Sequence, residues 1–151
     1  MAKQWGSRRG DNNGRRLILY TDGAIRPNAT GLAAVVRDRK GRVVTWRSKR
    51  LPQAMTCNEA EYEAVLLGLE MVRALRPLRV EVRTDSQVVV NQMLGLFAVR
   101  SAHLRRLHAQ AREAVAALGA VEFVHVPRLR NRLADALANE AADEWRMEIG
   151  D

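Results

Sequence analysis

The chain has 151 residues, 25 Lys and Arg against 17 Asp and Glu, a formal net charge of +8 and 47% hydrophobic residues. That is enough apolar material for one domain with a sizeable core, and too much for a disordered chain. No apolar run reaches the roughly 18 residues of a membrane span, and the N-terminal MAKQWGSRRGDNNGRR lacks the apolar stretch of a secretory signal. A single cysteine, Cys57, excludes an internal disulfide framework and fits a reducing compartment, so a cytoplasmic location is expected. The positive balance suggests a polyanionic partner, nucleic acid first of all.

Residues 1–16 are polar, basic and glycine-containing, and read as a flexible arm. A first strand runs from Leu17 to Asp22, apolar on both sides as a central strand should be. The loop GAIRPNATG follows, then strands Leu32–Asp38 and Arg42–Lys49 joined by a hairpin turn at Lys40-Gly41. Thr56 and Glu59 have the spacing of a capping box, which predicts a helix from there to about Leu75, before Pro77. Arg79–Thr84 alternates as a strand, Ser86 opens a short helix ended by Gly95, and Ser101 caps a helix closed by Gly119. A last strand, Val121–Val126, precedes Pro127 and a final helix from about Asn131 to Met147, leaving 148–151 as a tail. Three strands in a meander followed by strand–helix alternation predict an α/β fold, a mixed sheet with helices on its faces.

Four acidic residues stand where a surface carboxylate is not usually placed. Asp22 and Asp85 end the runs LILYTD and VEVRTD, Glu61 shares a helical face with Ala64, Val65, Gly68 and Val72, and Asp135 lies in an alanine stripe with Ala134, Ala138 and Ala142. Each has an ordinary explanation: a turn residue at Asp22-Gly23, an exposed glutamate at a helix start, an N-cap at Asp85, a first-turn aspartate at Asp135. Together they suggest converging carboxylates, which resist burial unless a cation joins them. Oxygen ligands without Cys or His favour Mg²⁺ or Mn²⁺ over zinc.

The segments YTDGA, TCNEAEYEAVLLGLE, RTDSQVVVNQM and HVPRLRNRLADALANEA, in this order and spacing, resemble type 1 ribonuclease H from Leu17 to about Asp143, in particular its shorter bacterial and archaeal branch. The resemblance implies a ribonuclease H-like fold spanning residues 17–147, with a five-stranded mixed sheet whose first three strands are antiparallel. It implies hydrolysis of the RNA strand of RNA–DNA hybrids to 5′-phosphate and 3′-hydroxyl ends, with Asp22, Glu61, Asp85 and Asp135 as the catalytic carboxylates holding two Mg²⁺ (or Mn²⁺) ions. It also implies substrate contacts from Thr56, Asn58 and Gln87, and Arg128 is assigned a phosphate contact. Thr56 and Asn58 are equally good helix caps. A monomer with no membrane association is expected, with double-stranded RNA a further possible substrate, since both duplexes present an A-like shape and 2′-hydroxyls.

Three departures from the family pattern stand out. Cys57 replaces a usual asparagine and is expected to be a small buried residue. The usual glycine-rich loop after the first aspartate reads IRPNATG, and the loop before the last helix lacks the usual histidine. His125 is read as a structural strand residue. Loss of these groups keeps open a non-catalytic nucleic-acid-binding domain of the same fold as the competing reading.

Overall fold

The computed structural model describes residues 2–5 and 15–143. Most of the expected N-terminal arm, the residues beyond Asp143 and Trp145 lie outside the described residues. Six strands form one mixed sheet: β1 (Ala2–Trp5), β2 (Arg16–Arg26), β3 (Ala29–Arg37), β4 (Val43–Leu51), β5 (Arg79–Thr84) and β6 (Val121–His125), in the order β1-β4-β3-β2-β5-β6. Strands β2, β3 and β4 are antiparallel neighbours, while β5 and β6 run parallel to β2. The five-stranded sheet is as expected, with one addition. Ala2–Trp5, expected to belong to the flexible arm, pairs antiparallel with β4 and covers what would otherwise be an open edge.

The helices are α1 (Cys57–Ala74), α2 (Gln87–Met93), α3 (Ala102–Leu118) and α4 (Arg132–Asp143), with a short 3₁₀ turn at Arg128–Arg130 before α4. Local signals set their starts. Thr56 caps α1 in a reciprocal box with Glu59, and Ser86 and Ser101 cap α2 and α3. The main core lies between α1, α3 and one face of the sheet, around Leu17, Leu19, Tyr62, Val65, Val80 and Val82. A smaller alanine cluster, Ala24, Ala33, Ala138 and Ala142, joins α4 to the other face. Among the described residues no helix is long and apolar enough to cross a membrane.

Strand β2 departs from its expected end. It does not stop at Asp22 but continues to Arg26, and β3 begins at Ala29, so the segment read as a loop is a tight hairpin. The reason lies in packing across the sheet. Gly31 lets α4 rest directly on β3: a Cβ there would lie 2.0 Å from the Ala138 carbonyl oxygen and 2.5 Å from the Ala142 nitrogen. With alanines facing it, the β2–β3 ladder can extend fully beneath the helix.

Candidate metal centre

Asp22 sits inside β2, level with the C-terminal end of β5, because the two strands run in parallel register from Arg16 opposite Arg79 to Tyr20 opposite Arg83. The next residues along β5 lead to Asp85, just past its end. Parallel strands with their carboxyl ends at one rim place functional groups there. The sheet thus brings together two carboxylates that are 63 residues apart in the chain.

Helix α1 supplies the third. Gly23 has no room for a side chain, since a Cβ would lie 2.8 Å from Ala60 atoms. This closeness brings Glu61 to the strand, where its Oε1 accepts the Gly23 backbone N–H at 3.0 Å. The Thr84 hydroxyl lies 3.4 Å from Oε2 and itself accepts the Ser86 N–H at 3.1 Å. Carboxylate oxygens of Asp22, Glu61 and Asp85 all lie within 4.8 Å of one another. Asp22 and Glu61 are each only 5% exposed, so Glu61 is not the exposed helix-start glutamate of the ordinary explanation. Asp85 does not cap α2; Ser86 does.

Asp135 enters from the first turn of α4 and lines the same cavity, of about 300 Å³, with Asp22, Glu61 and Asp85. It is not one of the three whose oxygens all lie within 4.8 Å of one another, but its side chain is a hydrogen-bond partner of Asp22 and its charge acts on Asp85. Asn131 and Asn139, one turn before and after it, hold this part of α4 in place. The buried Asn131 amide donates to the Thr21 carbonyl at 2.9 Å. Asn139 donates to the Asp135 backbone oxygen at 2.8 Å and to its Oδ1 at 3.3 Å. Asn139 is held in turn by Arg26, whose guanidinium reaches its Oδ1 at 2.9 Å and clamps Asp143 at 2.9 and 3.1 Å.

Burial, then Glu61 and Asp135, push the Asp22 carboxyl far above the ordinary carboxylate range. Burial pushes Glu61 up to about 7. Asp85 is raised too, by burial first and Asp135 second, with Arg128 and His125 opposing. The basic side chain nearest the carboxylates, Arg128, is largely exposed and stands 3.7 Å from Asp135. A buried cluster of this kind holds protons or a cation. The donor set fits a divalent ion: oxygen only, no imidazole in the trio, and partly fixed by a backbone N–H before any ion binds.

Other expected positions vary. Thr56 is exposed, and its hydroxyl accepts the Glu59 N–H at 3.2 Å while its own N–H is received by Glu59 at 2.8 Å. Asn58 is half-buried, and Gln87 and Arg128 are exposed; Arg128 lines the carboxylate cavity. Cys57 contradicts its expected burial. As the first residue of α1 it is exposed at the cavity wall, where burial of its sulfur and the nearby Glu61, Asp22 and Asp85 raise its thiol pKa. His125 is a strand residue as expected, the last of β6, paired in register with Thr84; it is exposed there, and its charge acts on Asp85. Asn131 and Asn139 had a visible signal, four residues to either side of Asp135 on one helix face. Arg26 had none, because its partners lie more than 110 residues away.

An acidic cavity at the carboxyl rim of a mixed sheet defines a class: α/β domains with a cluster of carboxylates that could hold a metal ion. A family model described as reverse transcriptase-like matches residues 20–141. Ribonuclease HI of Halobacterium salinarum is 37% identical over 137 residues, which cover 88% of this chain and 67% of that protein. The crystal structure of an RNase H1 from the same archaeon has a TM-score of 0.81 at 35% identity, covering 85% of this chain and 98% of that one. An RNase H1 isolated from compost and solved in complex with RNA/DNA hybrid has a TM-score of 0.80 at 35% identity, covering 85% and 97%. A bifunctional protein of Mycobacterium tuberculosis is 34% identical over 130 residues, and the chain spans only 36% of its length. The chain belongs to the type 1 ribonuclease H family, a family of hydrolytic nucleases.

Proposed function

We propose that this chain is a metal-dependent endoribonuclease that cuts the RNA strand of RNA–DNA hybrids and leaves 5′-phosphate and 3′-hydroxyl ends. The observation that carries this reading is the meeting of Asp22, Glu61 and Asp85 oxygens within 4.8 Å, in a cavity that Asp135 completes. A module that only bound nucleic acid would gain nothing from buried carboxylates facing a phosphate backbone. The RNA/DNA hybrid held by the compost RNase H1 supports the hybrid as substrate.

Asp22, Glu61, Asp85 and Asp135 would hold Mg²⁺ or Mn²⁺, two ions in the full site. When bound, such ions would lower the pKa of the attacking water and stabilise the leaving ribose 3′-oxygen. The chain's own groups do the rest. Gly23 and Thr84 hold Glu61 in orientation, and Asn139 holds Asp135. Arg128, on the wall of the carboxylate cavity, would contact a phosphate of the substrate, and Asn58 and Gln87 would contribute further contacts to the hybrid.

The test is direct: labelled hybrid, double-stranded RNA and double-stranded DNA, each with Mg²⁺ or Mn²⁺ and with EDTA. Metal-dependent internal cutting of the RNA strand of the hybrid is expected. Absence of metal-dependent cutting of any duplex would overturn the enzymatic reading, and cutting of double-stranded RNA at a comparable rate would widen the substrate.

A further inference from the structure

Three cavities follow one another along the chain's basic side. The carboxylate cavity has Arg128 on its wall. The turn Arg128–Arg130 leads to a second cavity of about 330 Å³, where Arg130, Arg132 and Arg37 surround Tyr20 and Gly41. The hairpin beyond Arg37 then leads to a third, of about 580 Å³, walled by Arg15, Arg16, Arg39 and Lys40 over Leu78. Because Arg37 pairs with Ile18 in antiparallel register, that hairpin lies beside the start of β2. From Asp22 back to Arg16 is six strand residues, about 20 Å at the rise of a strand.

Little negative charge opposes this run. Asp38, 3% exposed, is already matched by Arg15 at 3.4 Å and Arg42 at 2.8 Å, and by the N–H groups of Lys40 and Arg42. Glu81 is taken by Arg83, which also donates to the Tyr20 hydroxyl at 2.6 Å. Both Arg83 and Arg37 lie over the Tyr20 ring, at 5.5 and 5.8 Å. Among the described residues Arg16, Arg39 and Lys40 have no carboxylate partner, and all three are exposed. Cations held together on one side without counter-charges repel one another, and they gain by binding a polyanion.

We propose that these cavities form a basic track for a nucleic-acid strand that continues beyond the cleaved duplex, ending at Arg16, Arg39 and Lys40. Its ligand is the phosphodiester backbone itself, along the roughly 20 Å from Asp22 to Arg16. The inference rests on the ribonuclease reading for the position of the duplex, but its binding test does not depend on cleavage.

Fluorescence anisotropy in EDTA compares a short blunt hybrid with the same hybrid bearing a single-stranded extension of about ten nucleotides, on each strand and each end in turn. The chains compared are the parent and Arg16→Gln/Arg39→Gln/Lys40→Gln. The parent should bind at least one extended hybrid more tightly than the blunt one. The triple variant should lose about tenfold on that hybrid, and its slope of log affinity against log salt should fall by about two, as three lost single-strand phosphate contacts require. Binding and metal-dependent cutting of the blunt hybrid should not change. The proposal is overturned if the parent does not discriminate extended from blunt hybrids, if the variant loses equally on both, or if inorganic phosphate fills the patch while strand length has no effect. Failure of the ribonuclease reading would show separately, as no cutting of any hybrid by the parent chain.

Discussion

The Gly23 amide donates to Glu61 Oε1 at 3.0 Å, at a position where no side chain could stand: a Cβ would lie 2.8 Å from the backbone and Cβ of Ala60. The glycine beside Asp22 therefore sets the distance between strand and helix, and with it the distance between two carboxylates. Gly23→Ala should push α1 away, cost about 1–3 kcal/mol of stability as other overpacking changes do, and reduce cutting far more than the stability loss explains. Urea unfolding alongside cleavage at a temperature where the variant is folded checks this. Unchanged cleavage in a folded variant would remove Gly23 from the account.

Burial of the trio, with repulsion among the carboxylates added to it, gives a pH dependence with a definite sign. The folded-state pKa values of Asp22, Glu61 and Asp85 are raised above the unfolded ones. Between the unfolded value, near 4, and the folded value, the native state binds more protons, so stability falls as pH rises. For Glu61 that window closes at about 7; for Asp22 it extends higher. In EDTA the melting temperature should therefore drop from pH 5 to pH 8, after allowing for the rest of the chain by comparison with Asp22→Asn. Added Mg²⁺ should recover the loss most strongly at the upper end, since binding displaces protons.

The same argument predicts opposite effects of one substitution on stability and activity. Asp22→Asn removes a buried carboxyl that near pH 8 must take up a proton on folding, and should raise stability in EDTA at that pH by about 1 kcal/mol or more. It should abolish cleavage while hybrid binding survives, and Asp85→Asn should do likewise for cleavage. Thermal melts, anisotropy and cleavage on the same preparations decide it; retained cutting in either variant would count against its metal role.

Asn139 links Arg26 to Asp135. Asn139→Ala should leave the fold intact but loosen Asp135, raising the Mg²⁺ concentration for half-maximal cutting about tenfold, the scale on which groups behind a metal ligand act. Saturating metal should restore most of the rate. A fall in rate at saturating metal, with the metal midpoint unchanged, would contradict a role through Asp135.

Thr56 separates capping from substrate contact. Its hydroxyl accepts the Glu59 N–H at 3.2 Å, so Thr56→Ala should cost about 1 kcal/mol of stability, and Thr56→Ser should restore it. If the hydroxyl also meets a phosphate, Thr56→Ala raises KM for hybrid while Ser restores it. A higher KM with no change in stability would reverse the present assignment.

How much of this was readable in advance differs from residue to residue. The α1 start, with Thr56 and Glu59, needed only neighbours in sequence, and a 3.6-residue period placed Glu61 on the apolar side of α1 without deciding between burial and an exposed helix start. The β5 bounds came from alternation over six residues. By contrast, the full length of β2 depends on α4 lying against Gly31, the exposure of Cys57 on where α1 begins relative to the cavity, and the edge strand Ala2–Trp5 on an open partner at β4.

The order and type of most elements, and the identity of the four acidic residues, were determined by the sequence alone, because caps, turns and periodicity act over a few residues. Only the tertiary structure decided that Asp22, Glu61 and Asp85 meet within 4.8 Å, that Asp135 is a hydrogen-bond partner of Asp22, and that Arg26 supports Asp135 through Asn139. Those distances depend on sheet register and on glycines that let helices touch strands, and both arise from contacts between segments far apart in the chain.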